Sequence, residues 1–268
     1  LCPFHDDTKE SFSIEIVKGL WNCKACGYKG NAYQFAKEMG HQNPAVFING
    51  DIYTQPAKTN QSNNLNLRKM IEPLIENLLK NKDKTPSCWD KKVHEELEIG
   101  LINGKLQFAH HDIAGNIIAI HEHKGKITGI GKSKWYLKHK IKEYDLEKPL
   151  YIAEGEKDAV TLYSQGKQVI SNSTGAQSIP KDDDGYYDLK FLKPFKEIFI
   201  SYDNDDAGQI GALKLGEEII KTNPNCKVKI PKWDKSLNKG YDVTDAFDND
   251  DEIKGHTFYN ACLNAKLL

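Results

Sequence analysis

Two short pairs of metal-binding residue types constrain this chain more than any other feature. Cys2-Pro3-Phe4-His5 is followed by Cys23-Lys24-Ala25-Cys26. Two residues between the ligands of a pair let both side chains turn toward one ion. Two such pairs on tight turns close a tetrahedral Cys3His site around zinc. Gly27 relieves the backbone just after the last cysteine. Four protein ligands leave no open coordination position, so the expected zinc is structural. Ser11 to Val17, between the pairs, reads as a strand ending at the Lys18-Gly19 turn. Trp21, Lys24, Tyr28 and Lys29 mix aromatic and basic groups. Either they stack on bases and meet phosphates, or the aromatics simply cover a small zinc core. Cys88, Cys226 and Cys262 are scattered. They read as small buried hydrophobes rather than a disulfide framework, which implies a reducing cytoplasm.

The 268 residues suffice for two or three packed units. A net charge of −1 excludes a generic polyanion binder, so any nucleic-acid contact must come from local basic stretches. There is no apolar run of about 18 residues for a membrane span, and no signal peptide. The chain opens at Leu1, directly before a cysteine, and so reads as a piece of a longer protein.

Five regions are expected. Residues 1–40 form the zinc ribbon, and 41–66, rich in Asn, Gln, Thr and Pro, a linker. Residues 67–148 begin with a helix carrying Leu67, Met70, Ile71, Leu74, Ile75, Leu78 and Leu79 at helical spacing. A small antiparallel sheet follows, with strands at 106–110 and 117–121, and then a stretch, 124–142, with seven lysines and no acidic residue. Residues 149–250 alternate strand and helix, the pattern of a mostly parallel α/β sheet. Residues 251–268 form a helical tail.

The α/β region carries a second set of chemical groups. Glu154 follows the strand Leu150 to Ala153; Asp203 and Asp205 follow the strand Ile198 to Tyr202; Asp242 and Asp245 follow the Lys239-Gly240 turn after a third strand. In such sheets functional groups gather outside the carboxyl ends of the strands, so these acids should converge. Clustered carboxylates repel one another unless a divalent cation is present, and Mg2+ prefers hard oxygen ligands shared with substrate phosphates. That is the set needed for metal-assisted transfer at phosphorus. Asp182-Asp183-Asp184 and Asp248, Asp250 and Asp251 read instead as solvated surface. Gly129-Ile130-Gly131-Lys132-Ser133 fails as a P-loop because the required glycine falls on Lys126.

The first motif, with Cys23-Lys24-Ala25-Cys26-Gly27 and Lys29-Gly30-Asn31, resembles the zinc ribbon of bacterial DnaG-type primases. Glu154-Gly155-Glu156-Lys157-Asp158-Ala159, Asp203-Asn204-Asp205-Asp206-Ala207-Gly208 and Asp242-Val243-Thr244-Asp245 resemble the Toprim domain. Together, and in this order, they are similar to bacterial and phage or plasmid primases over nearly the whole chain. The resemblance implies an α/β fold in three parts: zinc ribbon, small mixed α+β basic subdomain, and Rossmann-like Toprim domain. It implies Glu154 as acid/base or metal ligand, and Asp203, Asp205 and Asp242 as ligands of catalytic Mg2+ or Mn2+. It implies short RNA primers made from NTPs on single-stranded DNA, a replicative helicase as partner, and no membrane. Lys134-Trp135-Tyr136-Leu137 looks like the family's Lys-Tyr-Leu stretch. Lys132, Lys134, Trp135, Tyr136 and Lys157, with Trp21 and Lys24 of the ribbon, are then the nucleic-acid or nucleotide contacts. A lysine-rich loop without that role is the alternative. This sequence departs from the pattern at Glu156-Lys157, where many primases carry other residues, and at Asp245, three residues beyond Asp242 rather than two. A primase-like module that only recruits a helicase, and a Toprim nuclease, remain as the other two readings.

Overall fold

The computed structural model describes residues 2–5, 11–15, 20–39, 61–125, 127–129, 134–182, 185–249 and 253–268. Lys132 and the first 20 residues of the expected linker (41–60) lie outside these. The chain divides into two compact units, 1–57 and 58–268.

The first unit is a three-stranded antiparallel ribbon, β1 (Phe12–Glu15), β2 (Leu20–Cys23) and β3 (Lys29–Asn31), followed by helix α1 (Ala32–Glu38). Asn31 caps α1: its side chain accepts from the Gln34 N–H, and the Gln34 side chain accepts from the Asn31 N–H. Phe4, Phe12, Trp21, Tyr28 and Phe35 meet with ring centroids 4.9–6.4 Å apart. Among the described residues these five rings supply most of the apolar core, too little to hold some 40 residues without a staple.

The second unit opens with α2 (Gln61–Lys80), which starts six residues inside the expected linker. Leu67, Ile71 and Leu78 are buried along one helical stripe. After α3 (Lys91–Glu96) comes an antiparallel sheet in the order β4 (Ile99–Ile102), β5 (Lys105–His111), β6 (Ile117–Glu122), β7 (Ile127–Gly129). Ala109, Ile117 and Ile120 face Leu67 and Ile71 across this layer.

The larger sheet contains β8 (Trp135–Tyr136), β9 (Leu150–Ala153), β10 (Gln168–Asn172), β11 (Glu197–Ser201), β12 (Lys227–Ile230) and β13 (Lys266–Leu267), in the order β13-β12-β11-β9-β10-β8. Its four central strands are parallel. Leu150, Ile152, Ala153, Val169, Ile170, Ile198, Ile200 and Val228 are fully buried. Such continuous apolar runs belong to a parallel sheet covered on both faces. Helices α4 (Glu156–Ser164), α5 (Asp206–Thr222), α6 (Val243–Asn249) and α7 (His256–Leu263) accompany it. The last residues do not form a purely helical tail, because β13 pairs antiparallel with β12 and completes one sheet edge.

The chain leaves β9 for β10 on one side, then returns to β11 on the other side of β9. Strand order reverses between β9 and β11. The crevice outside the carboxyl ends of two such strands is where open α/β sheets bind ligands. Glu154 and Asp203 are the residues that follow those two ends.

Candidate metal centres

In the ribbon, the β1–β2 hairpin and the turn after β2 carry Cys23 and Cys26 to the segment holding Cys2 and His5. One donor atom from each of the four lies within 4.8 Å of the others. Gly27 has φ +72°, the left-handed conformation that closes this turn without side-chain strain. Burial pushes the Cys23 thiol up, but the Ser11 hydroxyl and the N–H groups of Cys26 and Ala25 outweigh it and hold Cys23 down at about 6. A thiolate is the form that binds metal. These four residues fit tetrahedral zinc with no position left for substrate.

Trp21 is not the stacking platform that its basic neighbourhood implied. It is 5% exposed, lies among the four phenyl and phenol rings, and donates from Nε1 to the Asn31 carbonyl at 2.9 Å. Lys24 is exposed. A groove of about 640 Å³ lies on the ribbon, with Ser13, Ile14, Leu20, Asn22, Lys29 and Gln34 among its lining. Ile14 and Leu20 are the large apolar side chains exposed there.

At the switch point the carboxylates are positioned by three different local devices. Glu154 follows β9 and accepts the Asp203 N–H at 3.2 Å. Asp205 caps α5, accepting from the Gly208 N–H at 2.7 Å. Asp242 does not follow a strand end, as expected, but begins α6. Asp242 and Asp245 exchange side-chain-to-backbone bonds at 2.7 and 3.2 Å, a capping-box arrangement that assigns Asp245 to the helix end. The loop carrying Asp242 is tied to the second motif: the Asn204 N–H donates to the Tyr241 carbonyl and the Gly240 N–H to the Asn204 carbonyl.

Charge confirms that these acids share one field. Burial, then the negative charges of Asp158, Glu154, Asp242 and Asp205, pushes the Asp203 carboxyl up to about 8. Burial raises Glu154 as well, with the Asp203 N–H opposing and Asp205 and Asp242 adding to it. Lys157 Nζ pairs with Asp242 at 2.8 Å. Its burial is outweighed by Asp158 and Asp242, which keep it charged. Glu154, Asp203, Asp205 and Asp242 do not bring three oxygens within 4.8 Å of one another, whereas two other groups among the described residues do bring donors that close. An all-oxygen, loosely spaced set that suppresses its own ionisation fits Mg2+ or Mn2+, which keep several waters and take one or two carboxylates.

Asp158 shares the field of these acids, its charge acting on Asp203. It lies one helical turn beyond Glu154, is 6% exposed, and accepts from the Thr244 N–H at 3.0 Å and Oγ1 at 2.6 Å. Burial and the Asp242 charge push it up to about 7. Its spacing from Glu154 on the α4 segment was the available signal.

Trp135 and Tyr136 also depart from expectation. Each is 1% exposed, because Lys134-Trp135-Tyr136 is not a loop but enters β8, which pairs antiparallel with β10. Trp135 Nε1 donates to the Asp188 carbonyl at 3.0 Å, and Tyr136 packs on Phe108 and His110. Neither ring can stack on a base. Lys134, half-buried before β8, stays a candidate contact.

Residues 1–49 match the family model of the DnaG zinc ribbon, described as the CHC2 zinc finger. This ribbon is similar to the CHC2 zinc finger over those residues. A DNA primase of Synechocystis is 48% identical over 40 residues, 15% of this chain and 6% of that protein. A DNA primase of Clostridium acetobutylicum is 23% identical over 290 aligned positions, covering 82% of this chain and 48% of that protein. The chain thus spans half or less of the curated relatives it matches. Beyond the CHC2 ribbon the likeness is one of fold. The Aquifex aeolicus primase structure, comprising zinc-binding and RNA polymerase domains, superposes with a TM-score of 0.56 at 19% identity, covering all of this chain and 78% of that one. The fold is therefore similar to that of the zinc-binding and RNA polymerase domains of that primase.

Gly208 shows how tightly the second motif is fitted. A Cβ there would lie 2.6 Å from the Asp203 carbonyl oxygen and 2.9 Å from Glu154 Oε2. Gly208→Ala is expected to lower stability by about 1–3 kcal/mol in a urea melt, as overpacking does. It should also weaken Mg2+ binding by roughly tenfold in titration calorimetry, because the two acids are forced apart. Wild-type Mg2+ affinity in the variant would remove Glu154 and Asp203 from the ion site.

Proposed function

We propose that this chain makes short RNA primers on single-stranded DNA, joining NTPs by metal-dependent nucleotidyl transfer. The observation that carries the reading is the placement of Glu154 and Asp203 at the switch point of a primase-core fold, in one chain with a CHC2 ribbon. In this reading Glu154 and Asp203 line the crevice that receives the incoming NTP, and Asp205 and Asp242 hold its two flanking helix ends. Lys157 balances Asp242, so that the local negative charge is limited to what an ion and its phosphates can neutralise. The primer 3′-hydroxyl would lose its proton and attack the α-phosphate as the α–β bond breaks and pyrophosphate leaves, with the acids holding Mg2+ or Mn2+ to supply charge neutralisation. The ribbon groove and Lys24 are the proposed template surface, and Lys132 and Lys134 further proposed contacts. The proposed partner is a replicative helicase, and the proposed setting the cytoplasm of a bacterium, or of its host if the chain is phage-encoded. No helix among the described residues is long and apolar enough to cross a membrane.

Two measurements on one reaction mixture separate this from the alternatives. With Mg2+ and single-stranded DNA, labelled NTPs should enter short products, and the DNA itself should stay intact. Cleavage of the DNA without NTPs would mean a nuclease. NTP-independent DNA binding with neither synthesis nor cleavage, even with a helicase added, would mean a recruitment module.

A further inference from the structure

We propose that His110, His121 and Glu156 form a second transition-metal site, of the Zn2+ class, that fastens the antiparallel sheet to the first turn of α4. This inference does not depend on the proposed reaction. The three residues come from β5, β6 and α4. His110 pairs with Ala119 and Phe108 with His121, so His110 and His121 are diagonal neighbours on one sheet face. A register shift between His110 and His111 marks a bulge, a device that re-aims side chains next to functional sites. Glu156 opens α4, two residues beyond Glu154.

The geometry is that of a ligand set. Glu156 Oε1 lies 2.8 Å from His121 Nδ1 and 3.2 Å from His110 Nε2. One donor from each residue falls within 4.8 Å of the other two. Zinc bonds of about 2.0–2.1 Å in a tetrahedron need donors roughly 3.3 Å apart, a small expansion of what is present. The side chains of His110, Glu156 and His121 are 4%, 8% and 19% exposed. His110 Nδ1 is buried without a hydrogen bond, and its Nε2 meets only Glu156 Oε1. Two imidazoles converging on one buried carboxylate oxygen are a group that a cation satisfies. Two imidazoles and one carboxylate form a three-ligand zinc set that leaves the fourth position to water. Nitrogen donors also separate this site from the all-oxygen cluster, which suits a harder ion. A metal here would anchor the segment that carries Glu154 to the basic subdomain, which makes these three positioning residues.

The test is zinc stoichiometry by mass spectrometry on the full chain, equilibrated with limiting Zn2+ in millimolar Mg2+ to occupy the carboxylates. The wild type should hold two zinc ions. The double variant Cys23→Ser, Cys26→Ser should hold one, and adding His121→Ala to it should leave none. Far-ultraviolet circular dichroism reports whether each variant folds. If the His121 variant does not, the first two counts still decide. A single zinc in the wild type, or none in the double cysteine variant, would overturn the proposal and leave Glu156 as a hydrogen-bonded ion pair with its histidines.

Discussion

Asp203→Asn is expected to remove primer synthesis while making the apo protein more stable. The folded Asp203 carboxyl is pushed up to about 8, first by burial and then by its acidic neighbours. An unfolded aspartate titrates near 3.9. A group whose folded value is raised contributes stability at low pH and loses it as pH rises through that window. The apo wild type should therefore weaken between about pH 4 and pH 8, because the fold must hold a carboxylate it disfavours. Asparagine keeps the size and cannot ionise. Above pH 8 without divalent ions the variant should exceed the wild type by on the order of 2–4 kcal/mol, and the gap should close toward pH 4. Millimolar Mg2+ should restore the wild type and do little for the variant. Synthesis should drop by about 10³-fold, the scale of losing one preorganised charge contact at a reacting phosphate. Thermal melts across pH, with and without Mg2+, read the first effect. A variant melting at or below the wild type at pH 9 would show that Asp203 is not held against its ionisation.

The second large effect concerns the CHC2 ribbon. Five aromatic rings cannot hold this unit, so its folding energy must come largely from zinc, on the order of 10 kcal/mol for structural sites. Removing zinc with a chelator, or by Cys23→Ser, should abolish hydrogen-exchange protection of β1, β2 and β3, a fall of at least 10³-fold. In Cys23→Ser, protection of β9, β10 and β11 should not change, since residues 58–268 form a separate unit with their own apolar core. A ribbon that stays protected without metal would make the four ligands dispensable to its fold.

These two effects rest on features that local spacing makes visible. The Cys-x-x-His and Cys-x-x-Cys pairs and the strand-end acids declare themselves over a few residues, because a tight turn or a strand terminus alone sets where they point. The misread residues depend on partners far along the chain. Trp135 is decided by the Asp188 carbonyl and by strand β10, and Tyr136 by Phe108 and His110. A basic neighbourhood is no evidence of exposure when the aromatics themselves enter a sheet edge. Trp21 lines up with the ribbon core for the same reason. Lys157 closes on Asp242, 85 positions away, a pairing that no local spacing announces. Asp242 itself was found by its motif, yet a helix end rather than a strand end presents it. The His110, His121 and Glu156 group has no linear spacing to read, since it exists only once β5 and β6 are in register and α4 is docked.

The account's central claim is tested most directly by primer synthesis on circular single-stranded DNA with labelled NTPs and Mg2+ or Mn2+, run beside Glu154→Gln. The wild type should make short, template-dependent RNA that requires the divalent ion, and Glu154→Gln should make essentially none while still binding DNA. Equal synthesis by Glu154→Gln, or no product from a zinc-loaded wild type with either ion and with helicase added, would contradict it.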